Sequence, residues 1–503
     1  MNSYQSVIVE WNNAEGKSAS SDEVQLIEGV QVYTRSFSRH EGTRLLMVRG
    51  STGKQLLVWG DGSLYQELAG EESDHYKLCG LTHENRLVIN RYFPYTVPRA
   101  FGKQVATIGL GDRLGLASPG HIRSVRGKNI RPILAQQSIR ELNLTGRDYN
   151  QVLDAACYAA LQEGYTEGFG ADGDHLKEEK DIEMALALGF TMLTLDCSDK
   201  IDNDVEGLSA TAVEERYLQL PQEVRSRYES TYLDTVFEAG AIQISFERQQ
   251  LMSYALIYGE AIKMTIDIYN RYIRPLDREM DFELSIDETK TPTDPAAHWF
   301  VAYELEQAGL DLYSVAPRFC GEFQKGIDYI GDVEQFEKEL EVHSAIADHF
   351  GYKLSIHSGS DKFSVFPIIA NHTKGRFHVK TAGTNWLEAM RTIAEVHPSL
   401  YRRMHQYAME HYPEALAYYH VTTDFDAITP LSEVSDGELA EYMNEDNARQ
   451  LIHITYGLLL QAKDGEGNSL FRDELMDTLQ KHEREYDQAL IRHIGRHLEL
   501  LGK

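Results

Sequence analysis

Cysteine is scarce in this chain. The four present in 503 residues, Cys79, Cys157, Cys197 and Cys320, lie far apart and form no CxxC pair. That spacing argues against a disulfide framework and a structural zinc site, and for a reduced, cytoplasmic setting. Long apolar runs are missing too: none approaches the ~18 residues that a transmembrane helix needs, so no membrane partner is expected. The N-terminal MNSYQSVIVEWNN has no basic stretch leading into an apolar one, and no secretory signal is expected. Basic residues are also few. Lys and Arg total 49 against 78 Asp and Glu, for a formal charge of −29. Such a surface argues against a nucleic-acid partner. It would also repel an anionic substrate at long range, so a site for one must gather Lys and Arg locally.

What remains is ordinary for a globular protein, with 42% hydrophobic and 25% charged residues. Residues 1–103 look like a small β-rich domain. VQVYTRSF, TRLLMVRG, KQLLVWGDG and RLVINRYF are β-branched and aromatic runs divided by turn residues. Trp59 and the tyrosines there are expected in a core or interface. From residue 104 to about 395 short apolar runs alternate with helical stretches. The runs are 105–113, 131–138, 168–175, 190–199, 282–289, 313–319, 353–361 and 377–384. Eight strand–helix units predict an α/β protein with a (β/α)₈, TIM-type barrel. The stretch 332–351 reads as one of the helices, with Gly351 as its C-cap. Residues 205–280 are too long for one crossover and read as a helical insertion. Residues 396–503 read as a helical extension that covers one end of the barrel or joins subunits of a homo-oligomer.

Strand parity then sorts the side chains. Glu283, Ser285 and Asp287 share the inward parity, as do Ser314, Ala316 and Arg318, Ser355 and His357, and His378 and Lys380. The last inward residue of each strand should line the catalytic mouth, where unpaired charge is costly. Asp172, Asp174, His175 and Lys177 suit a metal site or an acid/base pair, or simply a polar turn into a helix. Around Asp196 and Asp199, Lys200 is either a base or a clamp, or one member of a solvated ion-pair network; we count it as catalytic. Cys197 reads as a packing residue. Asp287 and Glu288 suit a metal ligand beside a general base, while His298 reads as structural. His357 is the strongest single metal-ligand candidate. His378, one pleat deeper, reads as structural or supporting. Gln137, Lys177, Arg318 and Lys362 are candidate substrate contacts. Lys380 with Thr384 and Asn385 at a helix start reads as an anion site. GLGDRLG (109–115) is an incomplete GxGxxG, and no NAD is expected.

IGLGDRLGLASPGH, GFGADGDHLK, SIDETKTPTDP, IHSGSDKFSVFP and GRFHVKTAGTNWLEAMR together resemble the tagaturonate epimerase family of bacterial hexuronate catabolism, from about residue 100 to the C-terminal helices. The resemblance implies a metal-dependent epimerase that interconverts D-tagaturonate and D-fructuronate without a nicotinamide. The metal is of zinc, manganese, nickel or cobalt type, with His175, Asp287 and His357 as the expected ligands. The inverted carbon, C4 from the keto end, lies β to the ketone, and enolisation does not acidify its hydrogen. A retro-aldol route is therefore expected. The metal polarises the ketone and stabilises the enediolate left as C3–C4 breaks, and Asp174 or Glu288 takes and returns the C4 hydroxyl proton. The alternatives are a metal-dependent aldolase or ketose isomerase on a sugar acid, or a sugar-acid binding protein without catalysis.

Overall fold

The computed structural model describes residues 2–14 and 24–503. Its N-terminal part is an antiparallel sheet of β1 (Val24–Ile27), β2 (Val30–His40), β3 (Thr43–Gly50), β4 (Gly53–Gly60), β5 (Glu71–Ser73) and β6 (Tyr76–Gly80), in the order β1-β2-β3-β4-β6-β5. Period-two alternation buries both of its faces. Leu45, Met47, Leu56 and Val58 pack against Tyr158 and Leu161 of a barrel helix. Leu46, Val48, Leu57 and Trp59 pack with Val7 and Ile8 of helix Ser3–Ala14. Trp59 is a core residue, as expected. RLVINRYF is not a strand. It belongs to helix His83–Tyr92, which Thr82 caps by accepting from the Asn85 N–H, with Glu84 in the first turn and Arg91 in the last. The capping threonine overrides the β-branched composition.

The barrel strands are β7 (Thr107–Gly109), β8 (Arg131–Ser138), β9 (Gly170–Leu176) and β10 (Met192–Asp196). After a hairpin of β11 (Val236–Ala239) and β12 (Ile242–Ser245) come β13 (Asp281–Ser285), β14 (Ser314–Ala316), β15 (Lys353–Ile356) and β16 (Phe377–Lys380). The eight strands other than the hairpin pair in parallel and close as β10-β13-β14-β15-β16-β7-β8-β9. This is the expected (β/α)₈ barrel. The ring helices carry the capping the sequence suggests. Asp332 caps Val333–Phe350, and Gly351 ends it at φ 76. The 205–280 insertion is not wholly helical. Between helices Gln222–Tyr232 and Arg248–Ile268, VFEAGAIQIS forms the β11–β12 hairpin around Gly240 at φ 61, with Phe237 packed on Trp299 and Phe246. In the C-terminal extension, Leu451 and Tyr486 share a core with Trp386, Met390 and Ile393 of helix Thr384–Val396. Arg449 and His493 both reach Asp361 just beyond β15. The extension therefore covers the end of the barrel where the strands finish. Among the described residues no helix is long and apolar enough to cross a membrane.

Buried histidines make this fold acid-sensitive. Burial pushes His343 and His405 from 6.5 down to about 4. The unfolded chain binds these protons more readily, so the stability they contribute is present above pH 6.5 and lost as pH falls toward 4. Each accounts for on the order of 3 kcal/mol. Unfolding midpoints recorded between pH 7 and 4 should fall steeply in that window. His405→Gln should flatten the dependence.

Candidate active site

Two irregularities in the strands aim side chains at the barrel mouth. The pairing of β9 with β10 steps from Gly173↔Leu193 to Leu176↔Leu195, which places an extra residue in β9. His175 lies in that bulge at φ 53. Simple alternation would send His175 outward, opposite to Asp172 and Asp174; the bulge turns it to the cavity. Ser358 (φ 49) and Asp361 (φ 63), just beyond β15, are also held in the left-handed region. In β8 the step from Ile133↔Gly170 to Ala135↔Ala171 inserts Leu134. Gln136 thus pairs with Asp172 and lines the cavity.

That cavity, of about 430 Å³, is lined by Gln136, Asp174, His175, Lys177, Asp287, Glu288, Lys325, His357 and Lys380, among others. A second of about 350 Å³ adjoins it through Arg140, Asp287, Glu288, Lys325, His357 and Ser358. One side-chain nitrogen or oxygen each from His175, Asp287 and His357 lies within 4.8 Å of the others. These residues come from the ends of β9, β13 and β15. Each imidazole is held from behind by a carboxylate. His175 Nδ1 meets Asp174 Oδ1 at 2.7 Å, and His357 Nε2 meets Glu283 Oε1 at 2.8 Å. His357 Nδ1 stands 3.1 Å from Asp287 Oδ2 yet makes no hydrogen bond of proper geometry.

Below this group lies a buried charge network. Lys380 Nζ reaches Asp174 at 2.6 Å, Glu283 at 2.9 Å and Asp172 at 3.2 Å, and donates to Thr194 Oγ1 at 2.6 Å. Burial pushes Asp172 up to about 6 despite Lys380. Burial would raise Glu283 as well, but Lys380 and His357 hold it well below the usual carboxylate range. Burial would lower His357, and Asp287 and Glu283 hold it up to about 10. With Asp172, Asp174, Glu283 and Asp287 set against Lys380 and a protonated His357, carboxylates remain in excess and the pocket favours added positive charge.

The structure brings Asp174, His175, Lys177, Asp287, Glu288, His357 and Lys380 together and separates the other candidates from them. Lys200 is exposed in the turn Ser198–Lys200 and lines neither cavity. Lys177 is the lysine that approaches the carboxylates there, Asp199 at 2.9 Å and Asp196 at 3.7 Å. Gln137 has the outward parity; the Leu134 bulge gives the inward place to Gln136. Lys362 is buried and donates to the carbonyls of Gln324, Ile327 and Ser360, so it ties loops together. Thr384 and Asn385 are buried, and Asn385 Nδ2 donates to the Gly111 and Ala382 carbonyls. Lys380 is surrounded by carboxylates and offers no place for an anion. The anion site read there does not form. Arg318 donates to the Thr289 carbonyl and lines only the second cavity. The available cations are Lys325, which donates to Ser358 Oγ at 2.8 Å, and Arg140. Both were missed because Lys325 lies on a loop and Arg140 opens the short helix Ile139–Thr145, neither in a patterned neighbourhood. In GLGDRLG, Asp112 accepts from the N–H groups of Leu114 through Ser118, which builds a turn. His298 pairs with His343 and Tyr352, and Cys197 is buried with its thiol on the Ser285 carbonyl.

Imidazoles, carboxylates and lysines gathered beyond the carboxyl ends of a closed parallel barrel define an enzyme of the (β/α)₈ class. A family model described as tagaturonate epimerase matches residues 33–501, and the chain belongs to that family. It is 39% identical over 479 residues to the tagaturonate/fructuronate epimerase of Thermotoga maritima, covering 94% of this chain and 97% of that one. Crystal structures of the fructuronate-tagaturonate epimerase of Cohnella laeviribosi, native and with one glycerol, are 60% and 61% identical to it. Each has a TM-score of 0.93, with 99% of both chains covered. The protein is an epimerase, an isomerase-class enzyme.

Proposed function

We propose that this protein interconverts D-tagaturonate and D-fructuronate with a divalent metal at His175, Asp287 and His357, by a retro-aldol route. The observation that carries the reading is the convergence of those three side chains, with a carboxylate behind each imidazole. A carboxylate there fixes the ring and raises its basicity as a ligand. The unsatisfied His357 Nδ1 and the excess of carboxylates fit a dication at this point. Bound there, the ion supplies Lewis-acid polarisation of the substrate's ketone.

The chain's own groups account for the rest. Lys325 and Arg140 hold the substrate's carboxylate, since among the described residues neither is paired with a carboxylate. Asp174 already accepts from His175 and Lys380, so its part is to orient them. Glu288 is exposed at the border of both cavities and is free to take the C4 hydroxyl proton as C3–C4 breaks. It returns that proton once the aldehyde half has turned and re-added on its other face. Lys177 at the rim supports substrate binding.

The test is turnover of D-tagaturonate in D₂O. The expected product is D-fructuronate with protium at C4, and a chelator should abolish its formation until metal is restored. Deuterium at C4 would replace the retro-aldol step with direct deprotonation. Release of two three-carbon fragments would make the enzyme an aldolase. Undiminished turnover by metal-free protein would remove the metal from the proposal.

A further inference from the structure

The C-terminal extension sends one imidazole into the catalytic cavity. His453, in helix Asp446–Ile454, lines it while being 1% exposed. Among the described residues neither its Nδ1 nor its Nε2 has a hydrogen-bond partner. The fold makes room for the ring: a Cβ on Gly383 would fall 2.1 Å from His453 Cε1, and one on Gly326 would fall 3.2 Å from Nδ1. Two glycines thus seat a ring that the protein leaves unbonded. Leaving a buried polar group unpaired costs about 1–3 kcal/mol. His121, His343 and His378 each leave one ring nitrogen unbonded, and two further buried histidines leave none. His298 bonds His343 and Tyr352, and His497 bonds the His493 carbonyl and the Asp361 N–H. An unpaired ring facing an active-site cavity is what a ligand-binding group looks like before the ligand arrives.

The chemistry of the wall narrows the ligand group. Burial, and then the cations Arg113 and Lys325, hold His453 well below the usual imidazole range, so it stays neutral. A neutral ring offers one N–H and one lone pair. A hydroxyl matches both; a carboxylate has nothing to give the lone pair. Gln136, also on the cavity, repeats the pattern: its buried amide has neither its nitrogen nor its oxygen bonded. We infer that His453 is a substrate-binding residue, which holds hydroxyl groups of the sugar acid by donating through one ring nitrogen and accepting through the other. The inference rests on the epimerase reading above and deepens it: cations take the carboxylate, and His453 with Gln136 reads the hydroxyls.

The test compares wild type, His453→Leu and His453→Phe in metal-loaded enzyme with D-tagaturonate. Both variants should lose about 30-fold or more in kcat/KM, mainly through KM, since each loses two buried hydrogen bonds to substrate. Metal content should not change. The unfolding midpoint without substrate should not fall, because an unpaired buried polar ring has been replaced by an apolar side chain. His453→Gln, which keeps a donor and an acceptor, should recover part of the loss. Wild-type kcat/KM in either apolar variant would overturn the inference. Loss of folded protein in both would also overturn it, because the ring would then be serving the fold. Failure of wild type itself to convert D-tagaturonate would instead overturn the epimerase reading.

Discussion

His357→Gln is expected to lower kcat/KM by about 1,000-fold or more and to reduce bound metal to a small fraction of one per chain. The argument is geometric. His175, Asp287 and His357 come from three different strand ends, and no single loop movement can replace one of them. On the proposed route, a ligand set reduced from three side chains to two would lose affinity for the metal, and the substrate's ketone would lose its Lewis acid. Glutamine is close to histidine in length and keeps a donor for Glu283, so the chain should still fold. Metal per chain by atomic emission, read beside kcat/KM, checks this. Full occupancy with normal activity would show that the ion, if one is used, binds elsewhere. Lys200→Ala is the internal control. That side chain is exposed outside both cavities, and its loss should leave activity within about a factor of two, as surface changes away from the site usually do.

The convergence of His175, Asp287 and His357 was partly legible in the sequence because two of the three obey period-two alternation. Asp287 and His357 are the last inward residues of their runs, and the barrel keeps that parity. His175 was found by composition alone; its direction is set by a bulge that no local pattern announces. The same kind of irregularity explains the exchange of Gln137 for Gln136, where one inserted residue reverses every later side chain on the strand. Lys380 shows a different limit. Its inward place was correctly read, but its partners, Asp172, Asp174 and Glu283, lie on two other strands. Only closure of the barrel brings them together and turns an apparent anion clamp into a buried ion-pair network. His453 lies beyond any reach of pattern. It belongs to a helix of the extension, 70 positions after Gly383 in sequence, and only packing places its ring against that glycine. The eight barrel units themselves were readable because each run repeats one local physics, whereas the N-terminal helix His83–Tyr92 was hidden by β-branched residues and revealed only by its threonine cap.

Lys380→Met is expected to destabilise the protein by about 3–5 kcal/mol, the range for removing one partner of a buried charge network, and to abolish activity. Methionine fills nearly the same volume, so the effect is electrostatic. Among the described residues the ammonium is the only cation within reach of Asp172, Asp174 and Glu283 together. Asp172 already sits at about 6 in its presence, and without it all three carboxyls must rise. A carboxyl with a raised folded pKa binds protons more readily than in the unfolded chain, so the variant gains stability relative to wild type as pH falls. In wild type only Asp172 is raised, while the depressed Asp174 and Glu283 keep their contribution until pH falls below their ordinary values of 3.8 and 4.5. The gap between the urea midpoints of the two proteins should therefore be widest near pH 8 and narrow steadily toward pH 5. Adding Asp172→Asn to Lys380→Met should recover part of the lost stability at neutral pH but none of the activity, since Asp174 would still lack the cation that orients it beside His175. A gap that stays constant with pH would mean that Lys380 acts through packing, and that the barrel interior is not organised by charge.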